Sequence, residues 1–503
     1  MSFNLATILR ESALAAPDKP LLLFGPRTFT YAQVDELSGR VAAGFRAAGL
    51  GRGDVLAVQL PNVPEFVFTY FGALKIGAIV VPLNPLLKAP EVAFHLRDSG
   101  ARALITVDAV AGEAARGVED AGDVRLYVLG APVDGTTPFD DLYAPSGTGD
   151  IEPLNPDDTT VIIYTSGTTG RPKGAELSVF QVYMACTVAG QTFGFHPDDV
   201  TMGVLPLFHV FGLSGVLNCA VRFGATVVLV PRFEVGAVLD AMEQHRVTVF
   251  VGVPTMFVAL MHADLTGRDV SSLRVCVSGG APIPGEVIKG FEAAFSGAPI
   301  LEGYGLSETC ALATFNPSAE DRRERSIGKR MWGVEVRIVD NQDVELPAGP
   351  DHVGEIVLRG HNVMKGYFRR PEATGEVMRG GWFHTGDLGY RDEDDFFYIV
   401  DRSKDLIIRG GFNVYPREIE EVLHQHPAVL EAAVVGRPHT RLGEEVVAFI
   451  SLRNGASATP GDVVEFAKAR LAAYKYPREV IVRSDLPKGA SGKVVKAELR
   501  AAL

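Results

Sequence analysis

The stretch YTSGTTGRPKG (residues 164–174) follows the apolar run VII (161–163) and consists largely of glycine, serine and threonine. A strand that ends in such a loop lets backbone N–H groups converge on an anion, and hydroxyl side chains add donors. Lys173 adds a positive charge. An exposed surface loop has a similar composition, so both interpretations stay open from this stretch alone. The first interpretation predicts a phosphate site made of Thr165, Ser166, Gly167, Thr168, Thr169 and Lys173.

The loop differs from the P-loop pattern G-x-x-x-x-G-K-[ST]. Pro172 precedes its lysine, and Gly174 follows where the pattern requires serine or threonine. The stretch is therefore not a P-loop.

Strand-like and helix-like segments alternate along most of the chain. Runs such as DVLAVQL, AIVVPL and ARALITV are separated by helix-period segments such as PEFVFTYFGALKIG and APEVAFHLRDSG, and the alternation resumes after residue 164. This rhythm predicts large, mostly parallel sheets that are covered by helices on both faces. Ligand sites in such sheets lie at the carboxyl ends of the strands.

The pattern changes towards the C-terminus. Residues 354–400 consist of short β segments separated by turn residues, which predicts a small β-rich subdomain. From about Lys404 onward, the pattern predicts a compact α+β module of roughly 100 residues. We therefore predict an α/β fold with a large N-terminal domain (residues 1–402) and a small α+β C-terminal domain (residues 403–503).

Composition excludes several classes of protein. The formal net charge is −13 and no long basic run occurs, which argues against a nucleic-acid partner. The four cysteines lie far apart without a C-x-x-C pair, which indicates reduced, buried thiols. No apolar run reaches the ~18–20 residues that span a bilayer, and the first residues lack the pattern of a signal peptide. These features predict a cytoplasmic protein, with peripheral membrane contact left open.

Five further motifs follow in a defined order: SGGAPI (278–283), LEGYGLSE (301–308), WFHTGDLG (382–389), DRSKDLIIRGGFNVYPREIE (401–420) and PKGASGKVVK (487–496). Together with YTSGTTGRPKG, they make the chain resemble the acyl- and aryl-CoA synthetases of the adenylate-forming superfamily. The resemblance extends over nearly the whole chain, from residue 29 to residue 500. It implies that the C-terminal domain is mobile.

The resemblance assigns roles in nucleotide binding. Tyr304 is similar to the aromatic residue that stacks on adenine, Ser307 to a donor to the α-phosphate, and Asp387 to the carboxylate that accepts both ribose hydroxyls. Arg402 is similar to a second ribose contact, and Lys493 to the catalytic lysine. The implied ATP and AMP site consists of Thr165, Ser166, Gly167, Thr168, Thr169, Lys173, Gly280, Ala281, Pro282, Glu302, Gly303, Tyr304, Gly305, Ser307, Asp387, Arg402 and Lys493.

The resemblance also implies sites for metal, acid and CoA. Glu308 is similar to the carboxylate that holds Mg²⁺, with Thr168 as a second ligand. His209 corresponds to a position between acyl pocket and thiol channel, and Lys404 to the hinge. The implied acyl pocket consists of His209, Phe211, Gly280, Gly303, Leu306 and Leu312. The implied CoA contact consists of Arg409, Gly410, Gly411 and Phe412.

The implied activity is that of an ATP-dependent acyl-CoA synthetase, with ATP, Mg²⁺ and CoA as cofactors or co-substrates. A carboxylate attacks the α-phosphate of ATP and releases pyrophosphate; the CoA thiol then attacks the acyl-adenylate, and AMP leaves. Because a carboxylate and a triphosphate repel each other, the site needs cations and hydrogen-bond donors. The implied catalytic residues are Lys493, Thr165, Lys173, His209 and Glu308.

The pocket-forming stretches predict an apolar acid. FHVFGLSGV (208–216), SGGAP (278–282) and EGYGLSETCALATFN (302–316) contain no lysine or arginine, which disfavours a dicarboxylate such as malonate. No tryptophan interrupts YGLSE, as one does in the acetyl-specific relatives. A medium- or long-chain fatty acid is favoured, and an aryl acid of the coumarate, cinnamate or benzoate type is the alternative.

Other activities share these motifs. An enzyme that loads a carrier-protein thiol, a luciferase-like oxygenase and a non-catalytic binding protein all stay open at this point. The chain also departs from the family pattern: Val179 replaces a common histidine, Ser307 a common threonine, and Arg330 and Trp332 stand where prolines are usual. The sequence leaves open whether Trp332 reaches the pocket.

Overall fold

The structure is a computed structural model of the chain. It describes residues 3–147, 149–165, 172–402, 405–409, 412–471, 473–489 and 494–503. Two large sheets, one small antiparallel sheet and a separate C-terminal sheet organise these residues.

The phosphate-loop stretch belongs to an eight-stranded sheet. Its strands, in order across the sheet, are Gly366–Tyr367, Lys173–Ser178, Thr159–Thr165, Ile79–Pro82, Val55–Gln59, Ala101–Val107, Arg125–Leu129 and Thr137–Pro138. The last six run parallel, and the first two are paired antiparallel to their neighbours. Thr165 therefore lies opposite Lys173, at the end of an antiparallel pair.

A nine-stranded sheet carries two of the other motifs. Its strands, in order, are Lys329–Arg330, Thr314–Phe315, Ile300–Tyr304, Val275–Ser278, Val249–Gly252, Val200–Gly203, Thr226–Leu229, Pro20–Phe24 and Arg27–Thr30. The six central strands, from Ile300–Tyr304 to Pro20–Phe24, run parallel. Residues 279–282 and 305–308 therefore leave the carboxyl ends of two neighbouring strands.

Helices cover both faces of each large sheet. The largest core joins the two sheets and includes helices Thr7–Ala15, Tyr31–Ala47, Pro64–Lys75 and Val179–Thr192, with the turns Val210–Gly212, Leu213–Asn218 (a π-helix) and Cys219–Phe223. The outer face of the nine-stranded sheet carries Val235–Gln244, Pro254–Met261 and Gly285–Ala294, and that of the eight-stranded sheet carries Ala89–Ser99 and Ala111–Ala121. Short 3₁₀ turns are Asp108–Val110, Phe139–Leu142 and Ser307–Thr309.

The central position of one helix follows from its composition. Pro64–Lys75 is apolar around most of its circumference and is buried along almost its whole length, as expected for a helix enclosed between two sheets. Proline at its first turn fits a position where the backbone N–H has no partner within the helix.

Two smaller sheets complete the chain. The β-rich subdomain contains Val334–Val339, Gly354–Gly360, Trp382–Arg391, Met378–Arg379 and Phe397–Arg402, all antiparallel, and the helix Pro371–Val377. The C-terminal sheet contains Phe412–Val414, Ile407–Arg409, Gly443–Leu452, Val429–His439 and Glu479–Arg483, with helices Pro416–His424, Pro460–Lys468 and Lys496–Ala501.

The predicted fold class is confirmed: parallel sheets between helices, a small β-rich subdomain and an α+β C-terminal module. The four cysteines are free and buried, as their spacing indicated. In the described part of the chain, no helix combines the length and the apolar character needed to cross a membrane. The domain boundary at residues 402 and 403 stays a prediction; it coincides with the end of the strand Phe397–Arg402.

Candidate active site

The residues predicted to hold the nucleoside meet where two sheets join. Tyr304 ends a strand of the nine-stranded sheet, and its hydroxyl donates a hydrogen bond to Asp387 Oδ2 at 2.6 Å. Asp387 lies in the antiparallel sheet, where its backbone is in register with that of Arg402. Both Tyr304 and Asp387 are buried. The structure therefore brings together the residues predicted for adenine and ribose, which lie 83 positions apart in the sequence.

Glycines allow close approach beside Tyr304. Gly280 has φ +84°, a conformation that favours glycine, in the turn that leads to Ala281 and Pro282. At Gly303, a Cβ atom would lie 2.8 Å from both Leu312 and Phe315. The space expected at Gly303 for an acid is therefore filled by two side chains of the protein itself.

Glu302 is a buried carboxyl beside this turn. It is 6% exposed, and Ile283 N donates to its Oε1 at 3.4 Å. Burial raises the pKa of Glu302 to about 7, although the positive charge of Arg417 opposes this shift. Glu302 also lines a cavity of about 250 Å³ between the helix Gly285–Ala294 and residues 316–324. The group is thus partly protonated near neutral pH.

The phosphate-loop stretch is described only at its two ends. Thr165 Oγ1 donates to the backbone carbonyl of Lys173 at 3.4 Å, so the ends are tied together. Ser166, Gly167, Thr168 and Thr169 lie outside the described residues. The ammonium of Lys173 lies 5.3 Å from the centre of the Tyr367 ring.

Glu308 lies close to the same tyrosine. Ser307 and Glu308 begin the short 3₁₀ turn that follows the strand Ile300–Tyr304. The Tyr367 hydroxyl donates to Glu308 Oε1 at 2.9 Å. Burial and the neighbouring Glu308 charge raise the pKa of Tyr367, so its hydroxyl keeps its proton. Glu308 and Lys173, two predicted catalytic residues, are therefore brought together by a residue that sequence reasoning did not identify.

The donor chemistry of this corner suits Mg²⁺. Glu308 is a buried carboxylate, the ligand type that this ion prefers, and the Tyr367 hydroxyl is a neutral partner that leaves its charge in place. The second predicted ligand, Thr168, lies outside the described residues. Among the described residues, no group of three histidine, cysteine, aspartate or glutamate side chains forms a metal cluster. A metal here would therefore be coordinated jointly by protein side chains and by the phosphates of the nucleotide.

A small apolar cavity lies near residues that were predicted for the acid. Its walls come from the helix Val179–Thr192, the π-helix and the turn after Glu308, and its lining residues are Ala185, Ala189, Phe193, Phe211, Ser214, Gly215, Cys310, Ala311 and Leu312. The free volume is about 10 Å³, room for about one water molecule. Phe211 and Leu312 were predicted for this pocket; Leu306 packs against the central core but does not line the cavity.

His209 is half-buried at the start of the short helix Val210–Gly212. Its Nδ1 accepts a hydrogen bond from the backbone N–H of Phe211 at 3.2 Å. An N–H group can only donate, so Nδ1 carries no proton in this arrangement and Nε2 does. His209 thereby fixes the turn that presents Phe211 to the cavity.

Two departures from the family pattern lie away from the cavity. Val179 is fully buried at the start of its helix and is not among the cavity-lining residues. Trp332 is 72% exposed on the surface, beside His361. The structure therefore places Trp332 outside this cavity.

Two of the residues predicted for CoA, Arg409 and Phe412, lie in the paired strands Ile407–Arg409 and Phe412–Val414, a hairpin of the C-terminal module. Arg409 makes two hydrogen bonds to Glu445, at 2.5 and 3.1 Å, and Phe412 stacks on Tyr474 with ring centres 4.6 Å apart. Arg409 and Phe412 lie opposite each other in the hairpin. Gly410, Gly411, Lys404 and Lys493 lie outside the described residues, and of Arg402 only the backbone is described.

Comparisons with known proteins identify the family and several relatives of this chain. The AMP-binding enzyme family model matches residues 9–368, and the model for the C-terminal domain of these enzymes matches residues 418–493. The chain is 36% identical to a long-chain-fatty-acid–CoA ligase of Bacillus subtilis, covering 99% of this chain and 94% of the relative. It is 37% identical to 4-coumarate–CoA ligase 2 of Oryza sativa, covering 98% and 91%. The ATP-bound crystal structure of MatB from Rhodopseudomonas palustris has a TM-score of 0.92 at 33% identity, covering 100% and 99%.

We predict that Glu302→Gln removes a pH-dependent loss of stability. The pKa of Glu302 is about 7 in the folded chain and about 4.5 when unfolded. The folded chain thus holds an extra proton between these values, and stability falls as pH rises through that window. Between pH 6 and pH 8 this group should cost the wild type about 1 kcal/mol of unfolding free energy, and the variant should escape this cost.

Denaturation at both pH values measures the difference. Glu324→Gln, which changes an exposed carboxylate lining the same cavity, is the matched control and should behave like the wild type. Equal losses of unfolding free energy between pH 6 and pH 8 in the wild type and in Glu302→Gln would contradict the raised pKa of Glu302.

Proposed function

This chain belongs to the AMP-binding enzyme family and is an AMP-forming acid–thiol ligase that uses ATP and CoA, and from that premise we propose that its acid is apolar and that medium- or long-chain fatty acids are its main substrates. The two halves of the reaction would use the site residues in sequence: acid and ATP first, CoA second.

The lining of the apolar cavity is the main observation behind this proposal. Every lining side chain is apolar or small, with only the Ser214 hydroxyl and the Cys310 thiol as polar groups. No lysine or arginine lines it, so a second carboxylate on the acid would be buried without a partner, at a cost of several kcal/mol. Ala185 and Ala189 lie one turn apart on the same face of the wall helix, so neither puts a long side chain into the cavity.

An aromatic acid is the second candidate. The rings of Phe193 and Phe211 line the cavity, and Phe193 also packs against Phe315 with ring centres 4.7 Å apart. Such walls suit a flat ring as well as an alkyl chain. Relatives at similar identity include ligases named for long-chain fatty acids and for 4-coumarate, which supports both candidates.

The first half-reaction brings two anions together. We propose that Lys173, with the loop it ends, binds the β- and γ-phosphates, while Tyr304 and Asp387 hold the adenosine. Mg²⁺, when bound to Glu308 and Thr168, would supply neutralising charge on the phosphates. Lys493 would contact the substrate carboxylate and the α-phosphate, where negative charge accumulates. The side chains position and neutralise, and none of them needs to act as a nucleophile.

The second half-reaction needs a different arrangement. We propose that the C-terminal domain, residues 403–503, turns about Lys404 and exchanges Lys493 for the hairpin that contains Arg409 and Phe412. The ion pair between Arg409 and Glu445 would keep the hairpin in place within the C-terminal module. Gly410 and Gly411 would leave room for the pantetheine arm of CoA.

A carboxylic-acid panel scored for AMP release in the presence of CoA tests the proposal. We expect octanoate and longer fatty acids to react best, cinnamates next, and malonate at a rate at least ~100-fold lower, because an unpaired buried carboxylate is costly. Malonate turnover comparable to that of octanoate would refute an apolar pocket. Preference for cinnamates over every fatty acid would favour the second candidate.

Ala189→Leu tests whether this cavity holds the acid. The added carbons exceed the free volume, so we expect shorter chains to be preferred and the kcat/KM of long chains to fall about 10- to 100-fold. Gln191→Leu places the same leucine side chain at an exposed position of the same helix and should leave the chain-length profile unchanged. An unaltered profile in Ala189→Leu, with a normal unfolding temperature, would place the acid elsewhere.

Lys493→Ala and Lys404→Pro separate the two half-reactions. Lys493→Ala should slow adenylate formation by a factor on the order of 10²–10³, since one charge-stabilising donor is lost. Synthetic acyl-adenylate and CoA should still give the thioester at close to the normal rate. Lys404→Pro should do the reverse, because a fixed φ restricts the rotation.

Lys468→Ala is the control, since Lys468 lies in the same module, is exposed and pairs with Glu465 on its own helix. We expect it to leave both half-reactions close to normal. If Lys493→Ala slows both halves equally, or Lys404→Pro leaves thioester formation intact, the rotation model is wrong.

A further inference from the structure

Tyr367 lies where the β-rich part of the chain returns to the eight-stranded sheet. Its short strand, Gly366–Tyr367, pairs antiparallel with Lys173–Ser178, the strand that leaves the phosphate loop. Phe368 N also donates to the carbonyl of Gly174 at 2.8 Å. The backbone around Tyr367 is therefore fixed to the outgoing end of the phosphate loop.

The same segment is also fixed to Glu308. Met364 N donates to the backbone carbonyl of Glu308 at 2.7 Å. Lys365 N donates to the carbonyl of Glu176 at 2.9 Å. Residues 364–368 thus connect by backbone hydrogen bonds the turn that carries the metal-type carboxylate and the strand that carries Lys173.

The Tyr367 side chain repeats this connection within the site. Its hydroxyl donates to Glu308 Oε1 at 2.9 Å, and its ring lies 5.3 Å from the Lys173 ammonium. The side chain is partly buried, which strengthens both contacts relative to water. One residue therefore contacts an anionic and a cationic group that would act on the same triphosphate.

We propose that Tyr367 is a positioning residue that sets the separation between the Glu308 carboxylate and the Lys173 ammonium, and so matches the metal site to the phosphate site. The proposal rests on the proposed roles of Glu308 and Lys173. A direct ion pair between the two groups would neutralise both. The intervening Tyr367 is uncharged, so its contacts with Glu308 and Lys173 neutralise neither group.

The hydroxyl and the ring have separable effects. Tyr367→Phe removes only the donor to Glu308, so it should raise the Mg²⁺ concentration for half-maximal adenylate formation about 10- to 100-fold, the range for lost partners of metal ligands. ATP affinity measured calorimetrically in EDTA should stay within about twofold of the wild type, because the ring still faces Lys173.

Tyr367→Leu removes the ring as well. ATP affinity in EDTA should then fall a further two- to fivefold, about the value of one exposed cation–ring contact. Calorimetric affinity for MgATP should fall in both variants, by the larger factor in Tyr367→Leu. Thermal unfolding checks that each variant is folded.

Tyr398→Phe is the matched control. Tyr398 is also a partly buried tyrosine whose hydroxyl donates to a carboxylate, Asp392 Oδ2, at 3.0 Å, but it contacts none of the predicted site residues through that bond. It should leave the Mg²⁺ dependence and the ATP affinity unchanged. An equal effect in Tyr398→Phe, or an unchanged Mg²⁺ dependence in a folded Tyr367→Phe, overturns the proposal.

Glu308→Gln distinguishes failure of this inference from failure of the proposed function. If Glu308→Gln changes the Mg²⁺ dependence and Tyr367→Phe does not, Glu308 keeps its role and the positioning role of Tyr367 is wrong. If Glu308→Gln leaves the Mg²⁺ dependence unchanged, the proposed role of Glu308 fails, and this inference fails with it.

Discussion

The hydrogen bond from Tyr304 to Asp387 joins the nine-stranded sheet to the antiparallel sheet at the nucleotide site. Other bonds support the same junction: Ile327 N donates to the carbonyl of Phe397 at 2.9 Å, and Asn362 Nδ2 to the carbonyl of Leu312 at 2.6 Å. Neither sheet alone contains a complete nucleoside site. Tyr304, proposed for adenine, ends a parallel strand, and Asp387, proposed for ribose, belongs to a separate antiparallel sheet. The geometry of the proposed site therefore depends on how the two sheets pack together.

Several acidic side chains are buried close to this junction. Glu302, Glu308 and Asp387 are all buried, in a chain whose net charge is already −13. The raised pKa of Glu302 shows the cost of placing a carboxyl there. A triphosphate adds further negative charge to the same region. The proposed site therefore needs cations, and the cationic residues proposed for it, Lys173 and Lys493, lie on segments separate from these buried carboxyls.

Local sequence patterns predicted the parts of this site that follow directly from strands. The sheets could be read from alternating apolar segments, and the positions after Ser278 and Tyr304 from the rule that ligands bind at carboxyl ends. Tyr367 could not be predicted in this way. It belongs to a two-residue strand that pairs with residues nearly two hundred positions earlier, and no local periodicity encodes such a pairing. The filled space at Gly303 was also hidden, because Leu312 and Phe315 reach it only through the fold of the following turn.

In the C-terminal module, ion pairs hold the described residues that precede and follow Lys493 in the sequence. On one side of Lys493, Lys488 pairs with Glu431 at 2.8 Å. On the other side, Lys496 pairs with Glu420 at 2.7 Å, and Arg500 pairs with Asp405. Burial alone would lower the pKa of Lys496, but the negative charges of Glu420 and Asp401 outweigh burial, and the pKa is raised. This internal ion pair therefore persists across neutral pH. Because both flanks are fixed to the module, they can approach or leave the nucleotide only as the module itself moves. The ion pair of Asp405 with Arg500 links the last helix directly to the chain next to the proposed hinge, so rotation there would carry that helix with it.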